Sequence, residues 1–275
     1  MTDSFKITNL RKAAQMAHAA YYPSHQSVSQ LGRTLEAVCR LPLNLGFVAR
    51  RRDGRLVIAF AGSRNLRDWV GNIRAELRGF GTGRVHAGFL ADFTNLVQTP
   101  LWSALGQLGE PNSEIVVCGH SRGGALALIT AKFLESHGRG PTCVVTFGTP
   151  KVGDESFVRS VESPVVRVEA FADMAPRLPP TPFRPCGQLV YLASDGSVRR
   201  QRTSAELALE IARYGGVFLF ALARREVNAQ VLRDATAAHS MDNYVEKLAR
   251  VLRDDEEHSP LANSASHEGS PDDGW

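Results

Sequence analysis

The sequence predicts an α/β fold in which a mostly parallel central sheet is flanked by helices. Continuous apolar runs rich in β-branched residues are typical of strands buried on both faces, and two such runs are Leu56–Phe60 and Ile115–Cys118. Val165–Phe171 predicts a further strand. Directly after the second run, the Ala- and Leu-rich segment Gly124–Ser136 predicts a helix, which Gly138 and Gly140 would end. Strands that alternate with helices in this way form parallel sheets.

The chain length and composition suit one domain followed by a tail. A chain of 275 residues with 43% apolar content is long enough for one α/β domain with a sizeable core, predicted over residues 1–253. Residues 254–275 are mostly acidic, small and polar, which predicts a disordered acidic tail. The tail holds seven of the 28 acidic residues, so the domain keeps 32 basic and 21 acidic residues. Such a domain either attracts anionic substrates and lipid surfaces or simply has a solvated basic surface.

Several classes of protein are disfavoured by what the sequence lacks. The N-terminal stretch has no apolar core of a signal peptide, and no apolar run approaches the roughly 18 residues that a membrane span requires. The four cysteines are scattered without metal-ligand spacing, so we expect no metal site. Since no export signal is seen, we expect a cytoplasmic location, with export by another route left open. The basic cluster at residues 197–202 has no interleaved aromatic residues, which disfavours nucleic acid as a partner.

The pentapeptide Gly119–Gly123 (Gly-His-Ser-Arg-Gly) lies between the second predicted strand and the helix that follows it. A Gly-x-Ser-x-Gly bend in this context holds its serine on a strained turn, with the hydroxyl at the carboxyl edge of the sheet. The glycines are needed because a side chain there would collide with the strand and helix backbones. The context favours Ser121 as a nucleophile over a purely structural Gly-rich turn.

A serine hydroxyl needs a general base, and His239 is the best candidate among eight histidines. In this type of site the partners follow the serine in the order acid, then histidine. His239 fits that order and comes just before an amphipathic run, Met241–Leu252. The alternative is a surface histidine that caps a helix.

Asp173 is the best candidate for the acid that orients the histidine. It follows the predicted strand Val165–Phe171, and Pro176 and Pro179 then prevent regular structure from continuing. The alternative is a turn residue that bonds its own backbone. Glu169 and Asp154 are the second choices for the acid.

An oxyanion site requires two preorganised hydrogen-bond donors. The backbone N–H of Arg122, directly after the nucleophile, is the first candidate. The second is Ser63, in the loop Ala61–Ser63 that follows the strand Leu56–Phe60. An ordinary Gly-Ser turn is the alternative interpretation of that loop.

A helix is also predicted between the acid and the base. Thr203–Glu206 has the pattern of a capping box, and apolar residues follow it at helical spacing at Leu207, Ile211, Tyr214, Phe218 and Leu222. The pair Gly215-Gly216 would weaken or hinge this helix. Its apolar face indicates either core packing or a mobile, lipid-facing wall of an acyl pocket.

Together these segments resemble the class 3 (fungal-type) lipase family of serine esterases. The matching segments, in chain order, are Phe60–Ser63, Asp68–Val70, Val85–Phe89, Gly119–Gly124, Thr146–Gly153, Asp173–Pro179 and His239–Met241. The resemblance implies an α/β-hydrolase fold and a cofactor-free lipase or esterase with Ser121, Asp173 and His239 as its triad. It also implies an oxyanion hole at Ser63 and Arg122, and a lid near residues 66–73. The candidate residues of the lid and acyl pocket are Leu66, Trp69, Val70, Ile73 and Phe218.

The chain departs from the family pattern most clearly at Arg122, where members usually have Leu. An unpaired arginine is costly to bury, so we expect its side chain to extend outwards or to meet an anionic group such as a substrate phosphate. A lipid ester in solution or in aggregates is the expected substrate, with transient contact to lipid surfaces. The alternatives are a phospholipase for anionic lipids and a non-catalytic lipid-binding protein with a hydrolase fold.

Overall fold

A computed structural model of the protein describes residues 7–40, 45–63, 76–99, 102–103, 113–212 and 229–257. The strands in these ranges are β1 (Thr34–Arg40), β2 (Leu45–Arg50), β3 (Leu56–Phe60), β4 (Leu77–Phe80), β5 (Gly83–His86), β6 (Ile115–His120), β7 (Cys143–Phe147), β8 (Val165–Ala170), β9 (Gln188–Leu192) and β10 (Val198–Arg199). Eight of them form one sheet in the order β1-β2-β3-β6-β7-β8-β9-β10, and β4 and β5 form a separate hairpin.

The centre of the sheet is parallel, as predicted. Strands β3, β6, β7, β8 and β9 pair with one another in parallel, while β1, β2 and β10 add antiparallel edges. The carboxyl ends of parallel strands meet at one edge of a sheet, which is where ligand sites form in such folds. The predicted nucleophile and acid both follow strands of this parallel centre.

Helices cover both faces of the sheet. They are α1 (Ile7–Ala19), α2 (His25–Ser29), α3 (Ala87–Leu96), α4 (Arg122–Ser136), α5 (Glu155–Ser160), α6 (Ser204–Glu210), α7 (Ala229–His239) and α8 (Met241–Glu257). One apolar cluster contains residues of α3, α4 and α5, and a second contains residues of α1 and α8. Neighbouring residues of β6 alternate between the two clusters, with Val117 in the first and Cys118 in the second. This two-sided burial explains why the strand sequences are continuously apolar.

The helix boundaries differ from the predicted ones in two places. The helix expected from Gly124 begins at Arg122, immediately after the candidate nucleophile. The amphipathic run Met241–Leu252 extends through Glu257, four residues into the predicted acidic tail. Residues 258–275 of that tail lie outside the described part of the chain.

The helix that starts at Ser204 packs differently from the prediction. Its capping box between Thr203 and Glu206 forms as expected, with backbone and side-chain bonds in both directions. The described helix, however, leaves Leu207 and Ile211 exposed, with 37% and 51% of their surfaces accessible, and buries Glu210 completely. The prediction that this apolar face packs in the core is therefore wrong for Leu207 and Ile211. The side of the helix that faces the protein interior carries Glu210, whose carboxylate has polar partners. The remaining residues of that face lie outside the described ranges.

The cysteines are free thiols. Cys39, Cys118, Cys143 and Cys186 are all buried, and burial raises the pKa of Cys118 to about 12. A thiol with so high a pKa is mostly protonated at neutral pH and acts as a small apolar side chain. Within the described ranges, no helix has the length and apolarity needed to cross a lipid bilayer.

Candidate active site

Ser121 occupies a strained turn between β6 and α4. Its φ of 53° and ψ of −124° lie in a region that residues with side chains rarely adopt. Such a conformation costs on the order of 1–3 kcal/mol and persists only where the surroundings enforce it. Here the Ser121 N–H donates to the carbonyl of Phe147 at 2.8 Å, and the Ser121 carbonyl accepts from Gly124 N–H at 3.0 Å. The turn is therefore fixed on both sides, between β7 and the first turn of α4.

The glycines that flank the turn are required by close backbone packing. A Cβ at Gly119 would lie 2.3 Å from the carbonyl oxygen of Gly123, and one at Gly123 would lie 2.4 Å from that of Phe60. Both distances are far below any real carbon–oxygen contact. The collision expected from the sequence is therefore present at both positions.

The three residues predicted from chain order form one hydrogen-bonded chain. His239 Nε2 lies 2.8 Å from Ser121 Oγ, and His239 Nδ1 lies 2.9 Å from both carboxylate oxygens of Asp173. All three side chains are buried. A carboxylate can only accept, so Nδ1 carries the proton and Nε2 is left to accept the hydrogen bond from the Ser121 hydroxyl. This is the tautomer that a general base needs.

The carboxylate of Asp173 is oriented by two further donors. The Ala175 N–H donates to Oδ1 at 2.9 Å, and the Tyr244 hydroxyl donates to Oδ2 at 2.6 Å. Asp173 therefore makes the local turn bond of the alternative interpretation and also contacts His239. Burial, and then the charge of Asp173, raise the pKa of Tyr244 well above its ordinary value, so its hydroxyl remains a donor.

The turn before Asp173 depends on the buried carboxylate of Glu210. Ala172 has a φ of +71°, and its N–H donates to Glu210 Oε1 at 3.1 Å. The Tyr191 hydroxyl donates to the same oxygen at 3.0 Å, and the Arg177 guanidinium pairs with the other. Burial is the main cause that lowers the pKa of Arg177 to about 10, which leaves it charged at neutral pH. This pairing stabilises the backbone that presents Asp173 to His239.

The two second-choice acids are engaged elsewhere. Glu169 pairs with Arg167 and accepts from Arg202 Nη2 at 2.9 Å. Asp154 caps α5 through the N–H of Phe157 at 3.0 Å and also pairs with an arginine. Their carboxylates serve structural bonds, while Asp173 alone of the three candidates contacts the imidazole.

The two predicted oxyanion donors belong to the two segments that adjoin the serine, the first turn of α4 and the Ala61–Ser63 loop. Arg122 is the first residue of α4, where backbone N–H groups have no partner within the helix. The loop that contains Ser63 passes directly over the nucleophile, since a Cβ at Gly62 would lie 2.8 Å from Ser121 Cβ. The Ser63 hydroxyl is buried and has no hydrogen-bond partner within the described part of the chain.

The side chain of Arg122 does not extend outwards as expected. It lies against α3, where two guanidinium nitrogens pair with the two carboxylate oxygens of Asp92. The side chains of Arg122 and Asp92 are only 14% and 7% exposed. The expected outward course is therefore wrong. The side chain does meet an anionic group, but that group is a carboxylate 30 residues earlier in the chain.

Comparison with known proteins shows similarity to lipases. A family model described as "Lipase (class 3)" matches residues 57–183. These residues therefore resemble the class 3 lipase family, over a little under half of the chain. The secreted mono- and diacylglycerol lipase 1 of Fusarium solani is 34% identical over 138 residues, which are 46% of this chain and 40% of that protein. A lipase of Rhizomucor miehei is 32% identical over 140 residues, which are 46% of this chain and 38% of that protein. The chain thus spans about two fifths of the length of these relatives.

The structural likeness covers more of the chain. A lipase from Rhizopus microsporus var. chinensis aligns with a TM-score of 0.62 and 23% identity, over 70% of this chain and 76% of that one. This likeness shows the α/β-hydrolase fold. A plant relative, the chloroplastic phospholipase A(1) DAD1 of Arabidopsis thaliana, is 28% identical over 154 residues, which are 47% of this chain and 34% of that protein. Since one relative's name includes the word secreted, the relatives do not support the cytoplasmic expectation.

Gly148 is part of the segment Thr146–Gly153 that resembles class 3 lipases, but its role could not be inferred from the sequence. It has a φ of +53°, and a Cβ there would lie 2.5 Å from Asp173 Oδ2 and 3.2 Å from His239 Cε1. Glycine at this position therefore leaves the space that the acid and the imidazole occupy.

The sequence also does not predict the supporting roles of Tyr244 and Glu210, because each lies far along the chain from the part of the Asp173 turn that it contacts. Tyr244 lies five residues after His239, and its spacing on the helix was the one available signal. The burial of Glu210 had no signal in the sequence, since apolar neighbours on α6 pointed to a different face. The lid and acyl-pocket candidates Leu66, Trp69, Val70, Ile73 and Phe218 lie outside the described residues.

The first prediction concerns the buried pair of Arg122 and Asp92. Asp92→Leu leaves the Arg122 guanidinium buried without its partner, so we expect the free energy of unfolding to fall by about 3–5 kcal/mol. The double variant Asp92→Leu/Arg122→Leu removes both charges and should recover most of that loss. Equilibrium unfolding in urea measures both values. Equal losses in the single and double variants would contradict the pairing.

The second prediction concerns Gly148. Gly148→Ala should displace the Asp173 carboxylate and lower ester hydrolysis by roughly 100-fold, since misplacement of about 1 Å has effects of that size. Gly196→Ala is the matched control, because Gly196 also has a positive φ, +84°, but an added Cβ meets no described atom within 4 Å. Turnover and thermal unfolding are measured for both variants. Similar activity losses in the two would show that backbone strain, and not the crowding of Asp173, is responsible.

Proposed function

We propose that this protein is a serine carboxylic ester hydrolase of the lipase type that acts on lipid esters without a cofactor. Ser121 is the nucleophile, His239 the general base and Asp173 the acid that orients it. The observation that carries the proposal is the chain of hydrogen bonds from Asp173 through His239 to a serine on a strained turn. The match of residues 57–183 to the class 3 lipase family model supports the same chemistry.

The reaction proceeds through an acyl-enzyme in two halves. His239 Nε2 takes the hydroxyl proton as Ser121 Oγ attacks the ester carbonyl, and the imidazolium is stabilised by the Asp173 carboxylate. The tetrahedral intermediate then collapses, and the same proton passes to the departing alcohol. In the second half a water molecule attacks the acyl-enzyme and gives its proton to Nε2. Collapse then releases the fatty acid, and the proton returns to Ser121.

Both tetrahedral intermediates carry a negative oxygen that needs fixed donors. We assign this role to the backbone N–H groups of Ser63 and Arg122. The position of Arg122 at the first turn of α4 supports it, because the partial positive charge of a helix N-terminus favours an anion. One such donor typically contributes a factor of about 100–1,000 to turnover.

The ion pair of Arg122 favours a neutral substrate head group. A free arginine beside the nucleophile would have indicated an anionic phospholipid, but Asp92 already compensates its charge. The names of two similar proteins, which refer to mono- and diacylglycerol lipase and to lipase, fit neutral glycerides. A phospholipase A1 activity is the second candidate, and it is favoured by the similarity to the plant phospholipase.

A non-catalytic lipid-binding role fits the site less well. A protein that only binds lipid has no use for a positive-φ serine held 2.8 Å from a buried imidazole. Such strain has a free-energy cost and persists where function requires it. Covalent labelling of the wild-type protein by a fluorophosphonate distinguishes the two roles, because only an activated serine reacts.

The third prediction tests the nucleophile. Ser121→Ala should lower hydrolysis of a short-chain nitrophenyl ester by on the order of a million-fold and should leave the protein folded. Ser136→Ala, an exposed serine at the far end of the same helix, is the matched control and should behave as wild type. Initial rates and thermal unfolding are compared for the three proteins. Near-wild-type turnover by Ser121→Ala would refute the proposed function.

The fourth prediction concerns the head group. With identical acyl chains presented in mixed micelles, diacylglycerol should be hydrolysed about tenfold faster than phosphatidylglycerol. The reason is that the charge of Arg122 is already neutralised by Asp92, so this residue does not favour a substrate with a phosphate. The ratio should change little between low and high salt. Fatty-acid release measured by pH-stat at both ionic strengths gives the ratio. Faster phosphatidylglycerol hydrolysis that weakens in salt would favour the phospholipase.

A further inference from the structure

Tyr21 reaches the active site from the N-terminal part of the chain. It follows α1 in a turn closed by a bond from its own N–H to the His18 carbonyl at 3.1 Å. Its hydroxyl lies 2.6 Å from His120 Nδ1 and 3.1 Å from the backbone nitrogen of Gly62. Gly62 belongs to the loop that carries the proposed oxyanion donor Ser63, and His120 directly precedes Ser121. Tyr21 lies outside the segment that matches the class 3 lipase family, residues 57–183.

The direction of each hydrogen bond follows from the chemistry of the partners. His120 Nε2 lies 2.7 Å from the backbone carbonyl oxygen of His239. A carbonyl oxygen can only accept, so Nε2 carries the proton and Nδ1 is the accepting nitrogen. The Tyr21 hydroxyl therefore donates to His120 Nδ1, and its oxygen accepts from the Gly62 N–H. Every bond in this chain has a donor and an acceptor.

This chain of bonds joins two parts of the site that the sequence separates widely. One end is the Ala61–Ser63 loop, and the other is the main chain of His239, nearly 180 residues later. The imidazole rings of His120 and His239 are also in contact, tilted by 38° with centroids 4.8 Å apart. Burial, and then the proximity of His239, lower the pKa of His120 well below its ordinary value. The bridging ring thus stays neutral, which keeps Nδ1 available to accept.

We propose that Tyr21 and His120 are positioning residues that hold the oxyanion loop and the catalytic histidine in register with Ser121. The inference rests on the proposed function, and it assigns to Tyr21 a role in the rate of the chemical step. Neither residue touches the reacting atoms in this scheme. Each acts through the backbone, Tyr21 through the N–H of Gly62 and His120 through the carbonyl of His239.

The close packing around Gly62 explains why a small displacement matters. A Cβ at Gly62 would lie 2.7 Å from the Tyr21 hydroxyl and 2.8 Å from Ser121 Cβ. The loop therefore lies between Tyr21 and the nucleophile with no free space. Because the Gly62 N–H already donates to the Tyr21 hydroxyl, it does not serve as an oxyanion donor. The next backbone N–H along the loop is that of Ser63, which we assign to that role. Removing the Tyr21 hydroxyl frees the loop to rotate and leaves two buried polar groups unpaired.

The test is Tyr21→Phe, with Tyr22→Phe as the matched control. Tyr22 is the next residue and is 73% exposed, so its hydroxyl should not affect the reaction. For Tyr21→Phe we expect kcat on a soluble nitrophenyl ester to fall by about 10–100-fold with little change in KM. The rate constant for fluorophosphonate labelling should fall by a similar factor, because that reaction uses the same serine and the same oxyanion donors.

A double-mutant cycle separates positioning from a general loss of structure. His120→Gln keeps an N–H donor near the His239 carbonyl but removes the nitrogen that accepts from Tyr21. If the two residues act as one bridge, the double variant should be no slower than the slower single variant, within about twofold. Independent structural effects would multiply instead. Thermal unfolding of each variant shows whether the kinetic losses occur in folded protein.

The outcomes distinguish this inference from the proposed function. Wild-type protein that hydrolyses esters, together with Tyr21→Phe at wild-type kcat, would overturn the bridge alone. A rise in KM at unchanged kcat, or multiplicative losses in the cycle, would overturn it as well. Wild-type protein that neither hydrolyses esters nor reacts with the fluorophosphonate would overturn the proposed function.

Discussion

The strained backbone of Ser121 is the constraint on which the rest of the site depends. A positive φ at a residue with a side chain is unfavourable, and here β7 and the first turn of α4 fix it from both sides. The turn directs the hydroxyl towards His239 and places the N–H of Arg122 at the helix N-terminus. Glycine is required at positions 119, 123 and 148 because a Cβ there would collide with a neighbouring backbone or side-chain atom of the site.

Around this turn, the site is held by buried polar bonds between elements that are far apart in the sequence. Tyr244 from α8 and Glu210 from α6 fix Asp173 and the turn before it, while Tyr21 and His120 link the oxyanion loop to His239. Each of the buried side chains that make these bonds has its partner, which is the condition under which such networks give rigidity instead of instability. Rigid donors and acceptors need little reorganisation as charge develops, and this is the main source of catalysis in acyl transfer.

The sequence predicts the parallel centre of the sheet and a candidate for each catalytic role, because these depend on local pattern and chain order. Apolar runs specify strands, a Gly-x-Ser-x-Gly bend specifies the elbow, and the acid and base follow in a known order. What it does not predict depends on contacts between distant segments. Arg122 was expected to extend outwards because Asp92 has no sequence signal that identifies it as the partner. Burial of Glu210 in place of Leu207 and Ile211 was missed because an amphipathic pattern does not reveal a polar network beneath a helix.

The central claim is that Ser121 is activated by His239 beneath two backbone donors. A crystal structure of the protein after reaction with an alkyl fluorophosphonate tests it most directly, because the adduct imitates the tetrahedral intermediate. The account predicts phosphorus bonded to Ser121 Oγ, with the phosphoryl oxygen about 2.7–3.1 Å from the backbone nitrogens of Ser63 and Arg122. An adduct on another residue would contradict the account, and so would a phosphoryl oxygen directed away from both amides.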